Sequence, residues 1–171
     1  MKMIDVGEKD RTARVAVARG ELRCSRETLK LLNEGRLEKG DALAAARLAG
    51  VMAAKRTPDI LPLCHPVALS GADVEVACDE NAGVVRIEAR IHALDRTGVE
   101  MEALTAVMAA ALTIYDFAKR NDRSMEVASV RLIHKSGGRT GDWNREGENQ
   151  PPRAAEPLTT PPRGTRKLPR Q

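Results

Sequence analysis

The sequence predicts a two-layer α+β domain, and three observations carry that prediction. Residues 72–91 read as a one-sided amphipathic hairpin, ADVEVAC and GVVRIEARI joined by DENA. Three further segments carry helix start signals. The resulting order of strand, helix, helix, strand, strand, helix, strand implies an antiparallel sheet covered by helices on one face.

Each element has its own local justification. ARVAVARG (13–20) alternates Val15 and Val17 with small or polar residues and reads as a short strand. Ser25 suits an N-cap, for a helix ending near Gly35. Asp41 suits another, for ALAAARLAGVMAAK, which must stop before Pro58. In the hairpin, Ala72, Val74, Val76 and Cys78 share one face. Val85, Ile87, Ala89 and Ile91 share the other strand's inner face, with Arg86, Glu88 and Arg90 opposite. Thr97 and Glu100 have capping-box spacing for a long helix reaching about Lys119. Its interior, ALTAVMAAAL (103–112), holds no charge, so cover on more than one side is expected, as at an interface between copies. MEVASVRLI (125–133) reads as the last strand.

Of the 171 residues 42% are hydrophobic but only 2% aromatic, namely Tyr115, Phe117 and Trp143, so the core is aliphatic. That leaves no platform for stacking single-stranded bases, which argues against a nucleic-acid partner. The formal charge of +4 is uneven: residues 145–171 hold six Lys/Arg against three Glu. Six Pro also fall there without periodicity, which sets a domain at 1–143 and a flexible Pro/Arg-rich tail at 144–171. Cys24, Cys64 and Cys78 are odd in number and widely spaced, with no disulfide framework. No leader and no apolar run of membrane-spanning length is read, so a cytoplasmic protein without a membrane partner is expected.

Four stretches bear chemistry. Leu63-Cys64-His65-Pro66 reads as half a metal site, as a nucleophile with its base, or as a buried thiol beside a satisfied polar residue. Adjacent residues on extended chain point apart, which weakens the first two. No metal site is expected. His65, held between Pro62 and Pro66, remains a candidate for addressing a ligand. Glu100 and Glu102 have ordinary roles open to them as helix-start acids. Asp116 and Lys119 stand at the spacing of a surface ion pair. Glu102 and Asp116, 14 positions apart, are about 40° out of phase and on the order of 20 Å apart along one helix. One small ligand touches both only if it is long or if two copies share a pocket. In KSGGRTGDW (135–143), Lys135 and Arg139 flank glycines whose backbone N–H groups suit phosphate. Lys39, just ahead of the Asp41 cap, adds a cation near a helix start.

Taken together, KGDALAAARLAGVMAAKRT, LCHPV, TGVEMEALTA, ALTIYDFAK and KSGGRTGD closely resemble the cyclic pyranopterin monophosphate synthase family of molybdenum cofactor biosynthesis. The resemblance runs from about Met3 to Trp143. It implies a ferredoxin-like sandwich and a lyase. Its substrate is (8S)-3′,8-cyclo-7,8-dihydroguanosine 5′-triphosphate, a cyclised GTP supplied by a radical S-adenosylmethionine enzyme. Its products are cyclic pyranopterin monophosphate and diphosphate. The resemblance further implies a homohexamer, a trimer of dimers with interfacial sites, and no required cofactor, although Mg²⁺ can accompany the triphosphate. By motif, Asp116, Lys119 and Lys39 fall on catalytic positions. Leu63, Cys64, His65, Glu100, Met101, Glu102, Lys135 and Arg139 fall on substrate-binding ones. The family usually reads SGGKSG where this chain has SGGRTG. Arg139 keeps the charge for phosphate but cannot donate a proton near neutral pH. Two rivals stand beside the enzyme: a non-catalytic nucleotide-binding module, and an RNA-associated protein acting through its tail.

Overall fold

The structure is a computed structural model and describes residues 1–148; residues 149–171 of the tail lie outside the described residues. Five antiparallel strands form one sheet in the order β2-β3-β1-β4-β5. They are β1 (Thr12–Arg23), β2 (Leu69–Asp79), β3 (Val84–Asp95), β4 (Glu126–Ser136) and the two-residue β5 (Trp143–Asn144). The helices are α1 (Arg26–Asn33), α2 (Ala42–Ala54), α3 (Thr57–Ile60) and α4 (Glu100–Ala118). Without β5, the order 2-3-1-4 is that of the ferredoxin-like sandwich, with α1 to α3 in the first crossover and α4 in the second.

The local signals explain most boundaries. Ser25 Oγ accepts from the Thr28 N–H and Asp41 Oδ1 from the Ala44 N–H (2.9 Å), so both expected N-caps form. The DENA turn closes with Gly83 N–H donating to the Asp79 carbonyl at 2.9 Å, and Gly83 takes φ +71°. Strand β1 runs longer than the alternating stretch 13–20, because pairing with β3 and β4 on both sides carries it to Arg23. Helix α2 stops at Ala54, short of Pro58 as expected, and Pro58 then sits in the first turn of the separate helix α3, where its missing N–H is not needed.

Ala16, Ala18 and Leu22 of β1, Ile87, Ala89 and Ile91 of β3, and Ala103, Ala106, Val107, Ala110 and Ile114 of α4 form one buried cluster. The small residues set how closely the layers approach. A Cβ at Gly20 would overlap Val107, and one at Gly50 of α2 would press on Ala106 O and Val74 at 3.1 Å. Contrary to the sequence expectation, α4 is long and apolar enough by length and composition to cross a membrane. It instead lies against β1, β3 and β4 with α2 beside it. Nor does one chain cover it on every side. Met101, Met108 and Leu112 are exposed, as are Leu48 and Met52 on α2.

Candidate functional site

The expected capping box does not form. Helix α4 starts at Glu100 itself, with Val99 as N-cap and no side-chain cap bond. Glu100 is therefore two positions earlier in the helix than a capping-box acid, and its carboxylate folds over Gly98, where a Cβ would overlap it. Freed from capping, Glu100 lines two adjoining cavities together with Thr97 and Gly98.

The larger cavity, about 830 Å³, is walled by Leu61, Leu63, Cys64, His65 and Met101. Its loop is set by what precedes it: buried Thr57 donates to Ala54 O at 3.1 Å, Leu61 N–H to Thr57 O, and Cys64 N–H to Leu61 O at 3.0 Å. Behind the wall, the Cys64 thiol reaches Glu102 Oε1 at 3.8 Å. Glu102 is 2% exposed, and its Oε2 has no hydrogen-bond partner among the described residues. Burial pushes the Glu102 carboxyl above the usual carboxylate range. Burial, then the neighbouring carboxylate, also pushes the Cys64 thiol up, away from the thiolate a nucleophile needs.

The second cavity, about 410 Å³, is basic: Lys9, Arg14, Arg96, Lys135 and Arg139 face Asp10 and Glu100. Lys135 Nζ donates to Thr140 Oγ1 and, at 2.9 Å, to Gly141 O, tying the glycine loop into a closed ring. Gly137 and Gly138 take φ of +89° and +79°. A Cβ at Gly137 would overlap the Ala13 carbonyl oxygen, and one at Gly138 the Arg14 guanidinium. The loop thus needs glycine both for its backbone and for its seat on β1. Gly137→Ala is expected to cost on the order of 2 kcal/mol of stability, which thermal denaturation checks.

Asp116, Lys119 and Lys39 form the third group, at the far end of α4. Asp116 binds Lys39 Nζ at 2.5 Å and Lys119 Nζ at 2.8 Å. The Lys119 and Lys39 ammonium groups hold its carboxyl well down, at about 2. The Lys39 ammonium also stands 5.7 Å from the centre of the Phe117 ring.

One chain therefore joins Leu63, Cys64, His65, Glu100, Met101 and Glu102 with Lys135 and Arg139, and leaves Asp116, Lys119 and Lys39 apart. The helix between the two groups is on the order of 20 Å long. Sequence reasoning missed Arg14, Arg96 and Lys9. Arg14 was visible only as a polar residue in an alternating strand. Pairing of Val15 with Ser136 brings it to the loop, and it is held by the carbonyls of Asp95 and Arg96, both at 3.1 Å. Among the described residues no group of three His, Cys, Asp or Glu is placed to hold a metal ion.

A ferredoxin-like sandwich with a cationic cavity opening onto a groove backed by a buried acid has the build of a small-molecule enzyme for a phosphorylated, polar ligand. The chain belongs to the MoaC family, whose model matches residues 3–138. Three curated proteins similar to it are named cyclic pyranopterin monophosphate synthase. That of Thermomicrobium roseum is 55% identical over 145 residues, covering 85% of this chain and 87% of the relative. That of a Roseiflexus species is 56% identical, covering 83% and 90%. That of Brucella ovis is also 56% identical, covering 82% and 86%.

Proposed function

We infer that the chain is a lyase converting (8S)-3′,8-cyclo-7,8-dihydroguanosine 5′-triphosphate to cyclic pyranopterin monophosphate and diphosphate in molybdenum cofactor biosynthesis. The observation that carries this reading is identity above one half, along more than four fifths of the chain, to proteins of that name. The geometry fits the chemistry it demands. The triphosphate lies in the basic cavity, where Lys135, Arg139 and Arg14 meet its charge. The base and sugar extend into the groove of Leu63, Cys64, His65 and Met101, with Glu100 between the two. Glu102 backs that groove, and its unpartnered oxygen suits a hydrogen bond to the guanine edge.

The reaction moves protons on and off ring nitrogens, then has a sugar hydroxyl attack the α-phosphorus. A new P–O bond forms, the bond to diphosphate breaks, and the hydroxyl proton passes to a base. Asp116, with Lys119 and Lys39 in direct contact, suits an acid–base set in which the lysines donate and the carboxylate accepts once the substrate displaces its ammonium partners. The distance along α4 supports a site in which these three come from a second copy. The exposed apolar stripe of Met101, Met108 and Leu112 with Leu48 and Met52 suits the packing of two chains, in a dimer that repeats threefold as a hexamer. A cytoplasmic enzyme receiving its substrate from a radical S-adenosylmethionine cyclase follows from the same reading. No resident cofactor is invoked, and any Mg²⁺ would arrive with the triphosphate.

The test is turnover. Purified full-length protein given the cyclised GTP is expected to release one diphosphate per pterin formed. Binding of the cyclised GTP without diphosphate release would leave only a nucleotide-binding module.

A further inference from the structure

We propose that Glu148, outside both cavities, is a positioning residue that holds the glycine loop 136–142 in its anion-binding form; this rests on the reading of that loop as the phosphate site. The loop leaves the sheet at the end of β4 and returns at once as β5, with Lys135 opposite Trp143 and His134 opposite Asn144. Its upstream arm is anchored by β1. Among the described residues its downstream arm is otherwise held from within the same hairpin. The Arg145 N–H bonds Ile133 O at 2.8 Å, Arg145 Nε bonds Leu132 O at 2.7 Å, and Asn144 Oδ1 lies against His134 Nδ1 at 2.8 Å. Asp142 Oδ1 accepts from the Gly137 N–H, and Lys135 Nζ donates to Thr140 and Gly141. A two-residue strand with exposed, local bonds is a weak clasp.

Glu148 supplies what the clasp lacks. The chain crosses back over the helix-free face of the sheet, and the Glu148 carboxylate takes Arg131 Nε at 2.5 Å and Arg19 Nη1 at 3.2 Å. Arg19 in turn binds Glu88 of β3 at 2.7 Å. One carboxylate thus ties the downstream arm to β4 and to the central strand β1, and through Arg19 to β3. Glu148 is only 18% exposed, and the Arg131 guanidinium first, then Arg19, holds its carboxyl below the usual range. Nothing in the proposed chemistry uses this network. Its position says it sets how often the loop is closed, because Lys135, the residue that ties the ring, lies on the arm facing Trp143.

If release of the strap left the loop competent one-tenth of the time, apparent affinity for diphosphate would fall about tenfold. The experiment compares full-length wild type with Glu148→Gln, Glu148→Asp and, as a reference, Lys135→Met. It measures diphosphate affinity by calorimetry, amide hydrogen exchange across residues 136–142, and steady-state kinetics. For Glu148→Gln, faster loop exchange is expected, with affinity down about tenfold, KM up in parallel and kcat within about twofold. Exchange in β1 and β3 should not change, and Glu148→Asp, which keeps the charge, should recover most of the affinity. Unchanged loop exchange in Glu148→Gln overturns the inference. Faster exchange with full diphosphate affinity overturns it also. If Lys135→Met is then equally neutral, the phosphate role of the loop has fallen with it; if Lys135→Met binds weakly, only the role of Glu148 has.

Discussion

Replacing Asp116 by Asn is expected to lower kcat at least about 100-fold while leaving substrate affinity and folding nearly intact. The substitution preserves shape and removes the charge that holds Lys39 and Lys119 at 2.5 and 2.8 Å. The pair is surface-exposed in the single chain, and such ion pairs contribute about 0–1 kcal/mol, so the melting temperature should move only a few degrees. Diphosphate release from the cyclised GTP, measured beside thermal denaturation, checks both halves. Turnover near the wild-type rate would remove Asp116 from the reaction. Because its carboxyl titrates at about 2, an activity loss centred anywhere above about pH 4 belongs to another group.

The largest effect on stability is expected at Asp122, which takes no part in the proposed chemistry although it lies in the turn just after α4. This residue is 7% exposed and accepts four hydrogen bonds. Oδ1 takes Ser124 Oγ at 2.6 Å and the Ser124 N–H at 2.9 Å, while Oδ2 takes the Ser25 N–H at 2.8 Å and Thr28 Oγ1 at 3.4 Å. It therefore bolts the start of α1 to the turn after α4. Asp122→Ala strands buried donors and is expected to cost about 3 kcal/mol, lowering the melting temperature by roughly 10 °C. Bonds from Ser124, then Ser25, bring the carboxyl down to about 2 from an ordinary 3.8. Its contribution is complete above about pH 4 and disappears as pH falls through about 2, since protonation then favours the unfolded chain. The variant should lack that part of the acid-induced loss. Equal slopes of stability against pH between 4 and 2 in the two proteins would refute the assignment.

The two predictions differ in how legible their residues were. Asp116 stood out because TIYDFAK lies in a motif set, and its partner Lys119 is three residues away. Asp122 was not singled out, since what makes it a bolt is its pair of bonds to Ser25 and Thr28, nearly a hundred positions distant, added to the local ones from Ser124. The same divide runs through the site. LCHP and GVEME were visible as motifs, but Arg14 was one polar residue in a strand until strand pairing set it against Gly138. Glu100 was misread as a capping-box acid because Thr97 and Glu100 have the right spacing. The helix begins two residues later than that spacing implied, and the carboxylate is turned to the cavities instead.

What the linear chain determined is everything that rests on near neighbours: alternation in β2 and β3, caps at Ser25 and Asp41, the Gly83 turn, and the order of elements that limits the topology to a few sheets. These are short-range steric and hydrogen-bonding preferences, and they act before any distant contact forms. Only the tertiary structure decided which charges face which. The register of β1 against β4 assembles the cationic cavity, the closeness of Cys64 to Glu102 leaves an acid buried, and the return of the chain at Glu148 braces the loop. Each joins residues separated by tens of positions, and such pairings follow from the packing of whole layers, a long-range condition that local sequence does not encode.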